Sequence, residues 1–534
     1  MQRWSLPVEL SDREEKIFKL ASKSRKLFTF LREHRHELID GTFQSELESM
    51  YRDTGQGEEP QPPGLMCMAL LLAGYQQVSD AEAVRLSAHD SCWRSILGTL
   101  GDKGDAPVFS QGGLQQFRDR LIRHDMDRRL LERTVELAKK TRAFNWRKLP
   151  KTLRVAVDSR PLEGAGRVED TINLLGHAGH KIAECIAVEL ETTIEEVCKR
   201  AGAPLLLASS IKAGLDIDWN DAEQKTEALN RLCEQLDRLS TWVEKRRPKD
   251  TEMTPLSRYT EALAQVRQQD VEAAANGGMQ LRQGVAEDRR ISIEDAEMRH
   301  GRKSKSKRFN GYKQHFGTHL DAGLVLACVV TPANRPEEEA TPDLATDMAR
   351  MGFNPDELQI DRAYINSSLA EQTVDKGGNV ISRPWKGSNA KPGLFGKRDF
   401  TINIRNETIT CPAGQVEPFE AGQVVEFDPE ACGVCPLRPQ CTYAATGRGR
   451  TVTMGDDERL QNKLRNLQST RAGREKLRER APVEHSLAHL GNRQGPRARY
   501  LGVRKNTFDL RRCAVIHNLE VIARVTREAT RKAA

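Results

Sequence analysis

Long hydrophobic runs are the first thing this chain lacks. No apolar stretch approaches the roughly 20 residues that a membrane-spanning helix needs, so no membrane partner is expected. The opening stretch MQRWSLPVELSDREEK has no apolar leader core, and the expectation is a cytoplasmic protein. Aromatic residues make up only 5% of the chain and mean hydropathy is −0.61, which describes a heavily solvated surface. No internal repeat is visible, and no histidine-rich cluster competes to hold a metal. A strong charge of one sign is missing too. The chain has 83 Lys and Arg against 76 Asp and Glu, a net charge of +7. That total is too mild to define a partner, so the distribution of the basic residues has to. The 11 cysteines, in a cytosolic chain, read as thiols or metal ligands rather than disulfides.

What is present points to several units. A chain of 534 residues, 38% hydrophobic and 30% charged, is too long for one ordinary core. Residues 1–150 read as helical. Ser11 and Glu14 stand in capping-box spacing ahead of Ile17, Leu20, Leu27 and Leu31, Ser79 and Glu82 repeat the box, and a third helix begins at Ser110. Two short capped helices before a basic one fit a helix-turn-helix DNA reader, and equally a plain dimerisation or docking bundle.

From residue 151 the texture becomes mixed α/β. LRVAVDSRPLEGAG is a β-type run reaching Asp158, and a hairpin turns at Asp321-Ala322-Gly323. A helix closes at Gly352, DELQIDRAYI carries a strand to Asp361, a helix stops at Gly377 and Gly378, and NVISRPW is a further strand. Residues 181–290 form a charged helical insertion in which Leu229, Leu232, Leu236, Leu239 and Val243 mark an amphipathic helix. Residues 395–450 are a small unit rich in Gly, Pro and Cys, and residues 451–534 are helical and basic. The α/β core therefore comprises 151–180 and 291–394, completed by the C-terminal region.

Asp158 and Asp361 share one grammar, an apolar strand followed by an acid and a polar turn. Either alone reads most simply as a turn or helix cap. A third acid, Glu484, lies in RERAPVEHSLAHLGNRQG, four residues after Arg480. Three carboxylates from different elements can hold two Mg²⁺ ions about 4 Å apart, the arrangement of phosphodiester chemistry.

These blocks, together with HGRKSKSKRFNGYKQHFGTHLDAGLVLACVVTPAN and the helical segment GEEPQPPGLMCMALLLAGYQQVSDAEAVRLSAHDSCWRSILG, occur in an order that resembles the DDE transposases of bacterial insertion sequences, the group with a Tyr-Arg-Glu-Lys signature. The resemblance implies an RNase H-like mixed sheet flanked by helices. It also implies Mg²⁺ or Mn²⁺ held by Asp158, Asp361 and Glu484, and cleavage and strand transfer on double-stranded DNA by a homodimer. Arg480 matches the signature Arg and would steady a phosphate or orient Glu484. The Tyr position is Leu477 and the Lys position is Gly491, with Arg493 nearby, so the auxiliary phosphate contacts depart from the pattern. Pro482 favours a helix starting between Arg480 and Glu484. A catalytically silent DNA-binding derivative and an RNase H-like nuclease without strand transfer stay open as alternatives.

Two basic stretches are candidates for DNA contact. The first holds Arg302, Lys303, Lys305, Lys307, Arg308 and Lys313 among Phe309, Tyr312 and Phe316. The second follows Glu484 with Arg493, Arg497, Arg499, Arg504 and Lys505. Cys411, Cys432, Cys435 and Cys441, containing one Cys-x-x-Cys knuckle, could form a structural Cys₄ zinc site of zinc-ribbon type, or remain ordinary thiols.

Overall fold

The computed structural model describes residues 3–21, 26–51, 59–101, 106–141, 144, 146–149, 151–246, 254–275, 277–304, 306–385 and 393–533; for residues 482, 484–487 and 533 it describes the backbone alone. Among the described residues six strands make one mixed sheet: β1 (Arg154–Glu163), β2 (Arg299–Arg302), β3 (Arg308–His319), β4 (Val325–Pro332), β5 (Glu357–Ile360) and β6 (Asn379–Ile381). β3 runs antiparallel to β1, β2 and β4, whereas β5 is parallel to β1 and β6 is parallel to β5. The β3–β4 hairpin turns through Gly323, whose φ of +69° is a conformation that favours glycine. All four residues of β5 and the first six of β4 are buried, as strands covered on both faces must be. This mixed α/β arrangement agrees with an RNase H-like transposase domain.

The helices close over that sheet. Among them are α1 (Met126–Lys140), α2 (Thr341–Arg350), α3 (Ser368–Asp375), α4 (Ala481–Gln494) and α5 (Val503–Ala533). The Ser11–Glu14 capping box is formed, and Ser79 and Ser110 cap their helices through their side chains. Apolar side chains of the first 150 residues belong to one continuous core with β1, β3, β4, β5 and α5. Polar groups pin the same junction. Asn518 on α5, fully buried, accepts the Val325 N–H (2.8 Å) and donates to the Val325 carbonyl and to Thr134 on α1 (both 2.9 Å). Arg511 on α5 reaches Asp125, Asp127 and Asp347, and burial pushes the Asp347 carboxyl up to about 6 despite those cations.

A second core belongs to the helices Thr171–Glu189, Ile194–Ala201, Ala222–Glu244 and Pro255–Asp270, with Leu229, Leu232, Leu236 and Leu239 buried in it. A third, small core gathers Phe400, Ile409, Phe419 and Phe427 under the short strands of the Cys-rich unit.

Candidate active site

Sheet register brings the two aspartates together. β1 and β5 pair in parallel from Arg154 with Glu357 to Val157 with Ile360, an offset of 203 (357 minus 154). The same offset separates Asp158 from Asp361, so each acid follows the last paired residue and the two stand side by side where β5 ends; β1 does not stop at Asp158 as the sequence suggests but runs on to Glu163, because it keeps pairing with β3. Asp158 accepts the Ser159 N–H at Oδ1 (2.8 Å), and its Oδ2 pairs with Arg480 Nη2 at 2.5 Å. Asp361 is exposed and caps the short turn Arg362–Tyr364 by accepting the Arg362 N–H (2.8 Å). It is thus a turn cap and a cleft carboxylate at once.

Both acids line a cleft of about 610 Å³ with Arg480, and with Ala488 and Asn492 of α4. The chain breaks between the helix Arg471–Arg478 and α4, with Arg480 as the residue before α4 and Pro482 in its first turn. Residue 484 belongs to α4, one turn before Ala488; its side chain lies outside the described residues. Among the described residues no three His, Cys, Asp or Glu side chains form a metal-holding group.

Beneath Asp158 lies a buried polar relay. His315 on β3 stands opposite Ser159, and its ring nitrogens bond the Tyr364 hydroxyl (2.7 Å) and the Thr331 hydroxyl (2.9 Å). Burial pushes the imidazole down to about 3, so it is neutral and adds no charge to the cleft. Burial also holds the Tyr364 phenol well above its ordinary range, and a hydrogen bond joins it to Ser159. The relay ties the strand carrying Asp158 to the turn that follows Asp361.

The cations sort into free and engaged groups. Arg302 and Lys303 are exposed and line the cleft. Lys307, Arg308, Arg499 and Lys505 are exposed as well, and Lys305 lies outside the described residues. Lys313 lines the cleft but is buried, paired with Glu337 (3.0 Å) and donating to the Arg335 carbonyl (2.7 Å). Arg493 is held by Glu520 (2.6 Å) and the Tyr75 carbonyl, and Arg504 by Asp127 (2.5 Å) and the Ile122 carbonyl. Arg497, though exposed, donates to the Gly164 and Ala165 carbonyls. Four further arginines near the acids escaped the sequence reading. Arg160 lines the main cleft. Arg362, Arg383 and Arg478 line a neighbouring cavity of about 350 Å³ that shares Asp361 and Arg480 with it. The available signal was proximity, since Arg160 and Arg362 follow the two acids by two residues and one.

In the Cys-rich unit, Cys411, Cys432, Cys435 and Cys441 all line one pocket of about 390 Å³. Cys411 Sγ accepts the Gln415 N–H (3.3 Å). Burial first, and then the three neighbouring cysteines, raise the Cys441 thiol above its ordinary range.

Acids side by side on adjacent parallel strands, on a mixed sheet beside a cationic cleft, define the class as an α/β domain consistent with the RNase H-like architecture. Residues 284–519 match the family described as the transposase DDE domain. The match takes in Asp361 and residue 484 and begins after Asp158 and the four-helix insertion core. No curated protein and no solved structure matches the chain. That similarity suggests transposase activity on DNA, and proteins of that family generally use divalent ions such as Mg²⁺. No helix among the described residues is long and apolar enough to cross a membrane.

Proposed function

We propose that the protein is a DNA transposase that cuts a strand at the ends of its element and joins the freed end to target DNA. The observation that carries this reading is the register of β1 and β5, which sets Asp158 beside Asp361 at the mouth of a cleft lined by cations. The donors fit a hard divalent ion: both are carboxylates, both are solvent-accessible, and no histidine lines the cleft. Asp158 and Asp361, with Glu484 from α4, would hold Mg²⁺ or Mn²⁺. Bound there, the ions polarise the scissile phosphate and acidify the attacking water or 3′-hydroxyl.

The chain's own groups supply the rest. Arg480, paired with Asp158, holds that carboxylate at the cleft, and it stands where it can steady a phosphate. Arg302 and Lys303 in the main cleft, and Arg383 and Arg478 in the neighbouring cavity, give the backbone a cationic path across the acids, with Lys307 and Arg308 exposed at the start of the strand beside Arg302. Base-sequence reading falls to the helices of the first 150 residues, and joining two ends requires at least a homodimer on DNA.

The test uses purified protein and a duplex carrying the DNA that borders its own gene. The wild-type protein in Mg²⁺ gives nicked and then joined products. Asp361→Ala gives neither while still binding the duplex, a loss of about 10³-fold or more in cleavage. Retained cleavage by Asp361→Ala removes the mechanism.

We infer in addition that the four cysteines hold a structural zinc ion. Their thiols are the soft donors zinc prefers, they share one pocket, and a backbone N–H already points at Cys411 Sγ; as placed they do not yet form a metal-holding group, so the ion would draw them together. Protein purified under reducing conditions is expected to carry about one zinc per chain, and Cys432→Ser with Cys435→Ser to lose it and to expose the Cys-rich unit to protease. A zinc-free native protein with the unit intact would contradict this.

A further inference from the structure

β1 carries a second functional side chain into the cleft. Arg160 lies two residues beyond Asp158, on the same face by the alternation of a strand. It lines the cleft with Asp158, Asp361 and Arg480. Arg302 and Lys303, which also line the cleft, are exposed, and the remaining cleft cations are engaged. Arg480 is taken up by Asp158, and Lys313 by Glu337. Arg160 is half-buried, yet among the described residues its guanidinium makes no hydrogen bond and no ion pair. Burial lowers its pKa from the ordinary value, and among the described residues no carboxylate offsets that effect.

The guanidinium rests on a feature of α4. Gly491 is buried, and a Cβ built on it would collide with the Arg160 guanidinium. The absence of a side chain at 491 leaves the berth that Arg160 occupies, beside Asn492, which also lines the cleft. A planar fork of N–H donors, partly desolvated and unpaired, is costly to keep and well matched to a phosphate.

We propose that Arg160, seated over Gly491, grips a non-bridging oxygen of the backbone phosphate that lies between Asp158 and Asp361. This rests on the transposase reading and adds a substrate-touching residue to it.

The experiment compares Arg160→Ala, Arg160→Lys and the swap Arg160→Ala with Gly491→Lys, in the full chain on the duplex that borders the gene. Single-turnover cleavage and the salt dependence of duplex binding are both measured. Arg160→Ala is expected to slow cleavage about ten- to a hundredfold and to reduce the slope of log affinity against log salt by about one. Arg160→Lys regains the slope and only part of the rate, because an ammonium cannot bridge two oxygens. The swap regains the slope by presenting the cation from the helix side. An unchanged rate and slope in Arg160→Ala overturns the proposal. So does a lost rate with an unchanged slope and no rescue by lysine, which would mark a merely structural side chain. Asp361→Ala separates this from the parent reading: if that variant still cuts, the transposase mechanism fails whatever Arg160 does.

Discussion

Glu14 offers a sharp test of how the N-terminal helices are held to one another. Its side chain closes the capping box of the helix Asp12–Leu20 by accepting the Ser11 N–H (2.9 Å). It is also gripped by Arg32 through Nε (2.6 Å) and Nη2 (2.9 Å), and by the Ser95 hydroxyl (2.7 Å). Burial alone would raise the carboxyl, but the Arg32, Ser11 and Ser95 bonds more than offset it and hold it at about 2, against an ordinary 4.5. A folded pKa below the unfolded one stabilises the fold above the unfolded value and ceases to as pH falls toward the folded value. At about 1.36 kcal/mol per unit, the 2.5-unit gap (4.5 minus 2) contributes about 3 kcal/mol at pH 7 and about 1.4 kcal/mol at pH 3. Glu14→Gln removes this contribution. Native-state hydrogen exchange of the helix Lys26–Leu38, which carries Arg32, compares the variant with the wild type at each pH. The gap in opening free energy should narrow by roughly half between pH 7 and pH 3. A gap of equal size at both pH values would refute the account, because the loss would then come from packing rather than ionisation.

Two further perturbations probe the site's support. Tyr364→Phe removes the hydroxyl shared by His315 and Ser159 and leaves a buried imidazole nitrogen unsatisfied. Thermal stability should fall by about 1–3 kcal/mol, with slower cleavage, while an unchanged melting point would show the relay to be idle. Asn518→Leu keeps the volume but strands the Val325 N–H and carbonyl at the edge of β4. A loss of about 2–4 kcal/mol is expected, read as faster proteolysis between the first 150 residues and α5.

Local structure was legible wherever a short-range rule governs it. Ser11, Ser79 and Ser110 each start a helix, since a hydroxyl three residues ahead of a free N–H suffices. The Leu229–Leu239 stripe is a buried helix face, and Pro482 does sit in the first turn of a new helix. The apolar run before Asp361 is a buried strand, and its acid caps the turn after it.

What no local rule reaches is which element meets which. Arg493, Arg504 and Lys313 stand in basic stretches that look like DNA contacts, yet each is engaged inside the protein by an acid on another element. Arg160 gives no sign in the sequence that a glycine 331 positions later makes room for it (491 minus 160). The acids themselves divide in the same way. Amino-acid order alone delivered two apolar strand segments each followed by an aspartate, because strand patterning and capping are decided over a few residues, but it did not show that β1 continues past Asp158 to Glu163. Only the folded sheet set those aspartates side by side, because β1 and β5 become neighbours through pairing and shared burial that close a loop of some 200 residues.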